Sequence, residues 1–168
     1  MTTQLSDTQR RVKNEAEFRR KLSILHKAAI GVVLCRTREP YRAIRTIRDF
    51  AVAEKTEYKK WDILTGWQTF NADDPSQPPT SDNQVEPVGA LRAINGIGNQ
   101  EGFPNGFYAM FYPHYMLPKS PAMIQCVKEY ARLFPENKKR LIIVTPPIFT
   151  LPPELEDDVV IPAYTLTE

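Results

Sequence analysis

Residues 140–155 read RLIIVTPPIFTLPPEL. Within them, 141–144 is an unbroken apolar run with three β-branched residues, the pattern of a strand buried on both faces. Thr145-Pro146-Pro147 stops it, because proline has no N–H to give a sheet ladder. A second proline-punctuated segment, 151–155, follows, and a further apolar run spans 159–161. A buried strand running into a polar loop creates the kind of edge at which α/β proteins hold ligands. Whether this edge does chemistry is the functional question.

Working upstream, 107–112 (FYAMFY) is apolar throughout and reads as a central strand, with Pro113-His114-Tyr115 at its carboxyl end. Between these two strands Ser120 and Pro121 open a helix as cap and first-turn proline. Its buried stripe is Met123, Val127, Tyr130 and Phe134, and Pro135-Glu136-Asn137 is expected to end it. Residues 30–35 (IGVVLC) form the first strong strand, and Thr37-Arg38-Glu39-Pro40 leads into a helix reaching about Glu54. Residues 61–65 (WDILT) read as a second short strand, with Gly66 turning the chain before Trp67. Strand, helix, strand at this spacing is a parallel crossover unit, right-handed by default.

Residues 71–86 carry three prolines and three aspartates with almost nothing to bury, and are expected to form a mobile surface loop. Residues 87–94 (PVGALRAI) resume as a short helix. At the other end, Phe18, Leu22, Leu25 and Ala29 recur at helical spacing after a cap at Ser6 or Asp7. The remaining faces of that helix are basic, with Arg10, Arg11, Lys13, Arg19, Arg20, Lys21 and Lys27 against Glu15 and Glu17. Without interleaved aromatics this is a solvated basic face. The expected organisation is a basic amphipathic helix over 1–29 packing on an α/β domain over 30–168. That domain has a mainly parallel sheet of about five strands with helices on both faces.

At 168 residues the chain suits one domain, and 42% apolar with 25% charged residues is ordinary globular composition. A net charge of +2 does not by itself imply a nucleic-acid partner. Cys35 and Cys126 both lie in apolar runs and read as buried thiols of a reducing compartment. No run approaches the roughly 20 apolar residues of a membrane span. The polar start shows no signal peptide, so a cytoplasmic location is expected.

The candidates for chemistry are few. His114 follows a buried strand at the sheet's carboxyl edge, whereas His26 lies within the basic helix. Glu39 could act as an acid or base, yet a carboxylate at a helix start explains it equally well. Neither cysteine has a convincing positive or histidine neighbour in sequence. The two cysteines and two histidines lack paired-ligand spacing for a metal. Gly96-Ile97-Gly98 follows a helix instead of a strand and has no Gly-Lys-Ser/Thr, so it is not a phosphate loop. No catalytic constellation results.

The order of elements and several motifs resemble the N-terminal domain of the ycf-type AAA ATPases, from about Ile30 to the end. The carriers are VVLCRTREPYRAI at 32–44, WDILTGW at 61–67, PVGALRAI at 87–94 and FYAMFYPHYMLPKSPAMIQCVKEYARLF at 107–134. The most specific is RLIIVTPPIFTLPPELEDDVVIP at 140–162, with its Leu-Pro-Pro-Glu-Leu signature. The resemblance implies a degenerate P-loop-NTPase-like domain that is non-catalytic and acts in assembly, regulation or partner recognition. ATP and magnesium would belong to a downstream ATPase module, with no cofactor in this chain. The implied partners are that module, neighbouring subunits and a protein client, with neither nucleic acid nor membrane. In the family an Asp usually precedes the histidine turn; here Tyr112 stands there, and an aromatic cannot hold magnesium as a carboxylate does. The candidate interaction or vestigial-site residues are Glu39, Thr65, Gly66, Trp67, His114, Thr145 and Glu154. Two alternatives stand beside this reading: a standalone small-ligand or nucleotide-binding enzyme using Glu39, His114 and Thr145, and a nucleic-acid adaptor acting through 10–27.

Overall fold

The computed structural model describes residues 6–160 except 71–73, 75, 97, 98 and 100. The run at 141–144 lies inside a strand whose seven residues, Lys139–Thr145, are all buried. In chain order the elements are α1 (Asp7–Lys27), β1 (Val32–Arg36), α2 (Pro40–Ala53), β2 (Glu57–Asp62), β3 (Gly66–Thr69), β4 (Thr80–Ser81), α3 (Pro87–Asn95), β5 (Gly106–Phe111), α4 (Pro121–Asn137) and β6 (Lys139–Thr145). Short 3-10 turns occupy Pro113–Tyr115, Leu117–Lys119 and Pro153–Leu155.

One six-stranded sheet has the order β1-β6-β5-β2-β3-β4. The first four strands of that order are parallel, and β3 and β4 add an antiparallel edge. On the free side of β1, Val160 makes a parallel bridge to Val33. Alternation along the strands makes two apolar layers. Val32, Leu34, Leu141, Ile143, Tyr108 and Met110 pack against α3 and α4. Val33, Cys35, Ile142, Val144, Phe107 and Ala109 pack against α2 and against Phe18 and Leu22 of α1. The expected α/β architecture with helices on both faces is therefore present.

Two expectations are corrected. The strand read at 61–65 is Glu57–Asp62, and Gly66 opens a further strand instead of only turning the chain. The reason is the Asp62 carboxylate, whose Oδ1 accepts from the backbone N–H of Leu64 and Thr65 and from the Thr65 hydroxyl, closing a turn there. The sheet gains β4, within the stretch read wholly as loop, because Asp82 Oδ1 accepts from Trp67 N at 2.9 Å and Gln84 O accepts from Trp61 Nε1 at 2.7 Å. As expected, α4 ends with Pro135-Glu136-Asn137, and Lys138 follows left-handed at φ 53°. A proline this near a C-terminus removes one N–H without interrupting a long ladder. Its ring lies against Gly31, where an added Cβ would come within 3.0 Å of Pro135 Cδ.

Candidate functional site

The parallel strands all point their carboxyl ends to one edge. From β1 the chain crosses β6 and β5 to reach β2, whereas from β6 it returns to the opposite side of β1 at Val160. Strand order therefore reverses at β1, the position where α/β sheets open a crevice.

The mouth of that crevice is filled by the chain itself. Thr37 is buried, and its N–H donates to Thr145 O at 2.9 Å. Its hydroxyl accepts from Glu39 N at 2.9 Å, and the next residue, Pro40, has no N–H. Glu39 itself is the N-cap residue of α2, with its carboxylate 2.8 Å from Arg42, which also pairs with Glu15 at 2.8 Å. Burial opposes the charge of Arg42, but the two carboxylates outweigh it and hold its pKa up. A helix N-terminus attracts anions through free N–H groups and its dipole. Here the Glu39 carboxylate makes no cap bond and turns to Arg42, while the Glu39 N–H is taken by Thr37 and Pro40 has none.

At the end of β6, Thr145 is buried and its hydroxyl donates to Pro146 O at 3.2 Å. At the end of β5, Tyr112 is left-handed at φ 55° and donates its N–H to Val144 O at 2.9 Å. His114 follows, edge-on to Tyr112 at 5.2 Å, beside Tyr115 at 4.0 Å and Phe149 at 6.2 Å. Its Nδ1 is buried and without a hydrogen-bond partner, and desolvation lowers its pKa, favouring the neutral ring. The aromatic row continues through Phe111, stacked on Tyr112 at 4.4 Å and 5.3 Å from Tyr41.

Thr65, Gly66 and Trp67 lie at the same edge, beyond β5 on the β2–β3 turn. Their contacts are those of a folded corner. The Thr65 hydroxyl is bonded to Asp62, Gly66 has φ 73° with an added Cβ 2.4 Å from Gln84 N, and buried Trp67 donates from Nε1 to Ala90 O at 2.9 Å. Burial would raise the Asp62 pKa, but hydrogen bonds from Thr65, Lys60 and the backbone of Leu64 outweigh it and bring it down. Glu154 lies elsewhere, in the turn against α4, where its backbone carbonyl accepts from Lys128 at 2.9 Å. The edge thus gathers Glu39, Thr145, His114 and the Thr65–Trp67 corner, and leaves Glu154 out.

Beside the filled mouth is an open cavity of about 710 Å³, lined by Arg38, Glu39, Tyr41, Arg45, Phe111 and Tyr112 among others. Sequence reading named only Glu39 of these as a site candidate. The signal it passed over is Tyr41 and Arg45, four residues apart on α2, with Arg38 just ahead of the helix start. This cavity can bind, but it offers no base poised against a nucleophile. Cys35 lies buried on β1 with its thiol pushed up to about 12, far from a reactive thiolate. Among the described residues no three histidine, cysteine or carboxylate side chains cluster as metal ligands, and no helix is long and apolar enough to cross a membrane.

A mainly parallel sheet with helices on both faces, a reversal of strand order at its first strand and a helix opening directly after it define a P-loop-like α/β domain. Residues 18–164 match the family described as the N-terminal domain of SpoVK-like AAA ATPases, and the chain belongs to that family. No curated protein and no solved structure matches it.

Proposed function

We propose that this chain is a non-catalytic N-terminal module of an AAA ATPase, serving assembly, regulation or partner recognition. ATP and magnesium are the business of a downstream module that also forms its closest partner. The observation that carries this reading is the filled mouth after β1. Glu39 places a carboxylate at the N-terminus of α2, Thr37 takes up the Glu39 N–H, and Pro40 removes the next donor. A triphosphate brought there would find two of the first N–H donors missing and a carboxylate already holding Arg42, in place of a nest of N–H groups. Tyr112 stands where the family resemblance places an Asp, and an aromatic side chain cannot hold magnesium as a carboxylate does, which supports the same reading.

The test is nucleotide binding and turnover by the purified 168-residue chain. Phosphate release at the level of a buffer blank and an unchanged melting temperature with MgATP are expected. Turnover that co-purifies with the chain, is absent from a mock purification and falls in a Glu39→Gln variant would overturn the reading.

A further inference from the structure

The cavity beside the filled mouth has cations at its rim, and the acids next to them are already engaged. Glu39, the carboxylate in its lining, and Glu15 of α1 both close on Arg42 at 2.8 Å. Arg45 therefore keeps only a 3.9 Å contact with Glu15, and its side chain stays exposed. Arg38 is exposed and makes no ion pair among the described residues. Two guanidiniums thus border the 710 Å³ space with donors to give and no carboxylate within hydrogen-bond range.

Between them the surface is aromatic. Tyr41, with 76% of its surface in water, meets Phe111 at 5.3 Å, and Phe111 stacks on Tyr112 at 4.4 Å. The row runs on through His114 to Tyr115, which is 75% exposed. Burial first, and then the neighbouring phenols of Tyr41 and Tyr115, push the Tyr112 hydroxyl's pKa up. That keeps the phenol protonated and able to donate a hydrogen bond to an anion. Tyrosine and arginine around a partly apolar cavity are the side chains enriched in interface hot spots.

We propose that this cavity docks an acidic segment of a partner protein, with an aromatic side chain seated among Tyr41, Phe111 and Tyr112 and flanking carboxylates on Arg38 and Arg45. The proposal rests on the partner-recognition part of the proposed function and names the chemistry of that partner. A carboxylate matches a guanidinium fork with two parallel hydrogen bonds, whereas a cationic segment would meet two unpaired positive charges. Single-stranded nucleic acid fits less well, because stacking platforms offer open ring faces to successive bases. Here Phe111 and Tyr112 turn faces to each other, stacked at 28°. Opposite charge steers the encounter and fixes the register, while the seated ring supplies buried contact.

Fluorescence anisotropy of labelled synthetic peptides with the purified chain tests it. The probes are an acidic peptide of Asp and Glu around a central Trp, the same peptide with Ala for Trp, and a basic peptide of Lys around Trp. The acidic Trp peptide is expected to bind, and binding should weaken as salt is raised. Its Ala counterpart and the basic peptide should bind about tenfold or more weakly. R38E/R45E should lose about tenfold or more for the acidic peptide and gain the basic one, a reversal that also shows the variant folded. Y41A should weaken the acidic Trp peptide with no change in net charge. No binding of the acidic peptide, or binding unchanged in R38E/R45E, overturns the docking site. Displacement of the peptide by a thymidine oligonucleotide that binds more tightly also overturns it and assigns the surface to nucleic acid. In either case a melting temperature unmoved by MgATP leaves the non-catalytic reading standing. If MgATP displaces the peptide and R38E/R45E abolishes MgATP binding, the cavity is a nucleotide site and both proposals fall.

Discussion

His114 and His26 are the two histidines, and each has a buried Nδ1 without a hydrogen-bond partner. At His114 desolvation among Tyr112, Tyr115 and Phe149 lowers the pKa. At His26, ringed by Phe50 and Phe107, burial lowers it first, the charge of Arg140 lowers it further, and Glu54 offsets part of this. A histidine whose folded pKa lies below its unfolded value near 6.5 binds fewer protons in the native state. Its contribution is complete above that unfolded value and is lost as pH falls from there through the folded pKa. Asp62, also lowered, titrates in a more acidic window and leaves this one clear. Thermal melts at neutral and mildly acidic pH should therefore show stability falling below about pH 6.5. His114→Gln should reduce the fall, and His114→Gln with His26→Gln should reduce it further. A double variant with the same acid slope as the parent would place the proton uptake elsewhere.

Strands that are covered on both faces were legible because their sequence is apolar at every position. That condition holds for the 141–144 core of β6, for β5, and for β1 up to Arg36. It fails for β2, where EYKKWD buries only Tyr58 and Trp61. The two lysines between them bring charge to the sheet, and nearby polar partners absorb it: Lys59 Nζ donates to Thr69 on the paired strand at 2.8 Å and Lys60 pairs with Asp62 at 3.2 Å. β3 and β4 were illegible because Asp82 and Gln84, far along the chain, decide where they pair. Glu39 and His114 were readable as residues following strands, but the cavity beside Glu39 joins the start of α2 to the end of β5, a tertiary fact. At the opposite edge, two cations on β6 do structural work that its apolar core conceals. Lys139 Nζ donates to Ile94 O at 2.9 Å in the last turn of α3. Arg140 donates to Phe134 O at 3.2 Å near the end of α4 and to His26 O at 3.4 Å near the end of α1. Cations there complement both the free carbonyls and the negative pole of the helix dipole. Arg140→Met keeps the stem and removes the donors, and should cost about 1.5–3 kcal/mol in urea unfolding. A variant as stable as its parent would mean that desolvating the guanidinium cancels those bonds.

The molecule is polarised along its strands: helix ends are tied down by cations at the amino edge, and the loops and aromatic row lie at the carboxyl edge. This division lets a P-loop-like sheet keep its frame while the mouth after β1 is filled, because the frame does not depend on what the mouth holds. The two faces are less equal. The α3–α4 face carries Trp61, Trp67, Tyr108 and Phe134 in its layer, with Tyr130 bonding Leu91 O across the helices. On the other face α1 adds, among the described residues, Phe18 and Leu22 as buried side chains, with Leu25 partly covered, and it is tied to α2 by the Glu15–Arg42 pair. The question at this scale is whether α1 unfolds with the sheet or leaves it first. Phe18 touches the layer that includes Val33 and Ile142, so α1 should be part of one cooperative unit. Phe18→Ala should then cost about 3–5 kcal/mol, a large share of a typical total of about 5–15 kcal/mol. The urea midpoint should drop while the slope stays constant, because the same surface is exposed in one step. A shallower slope with an unmoved midpoint would instead mean that α1 detaches before the sheet opens. Amide exchange would separate the outcomes directly: cooperative loss lowers protection in α1, β1 and β6 together, whereas early detachment strips α1 and leaves the central strands protected.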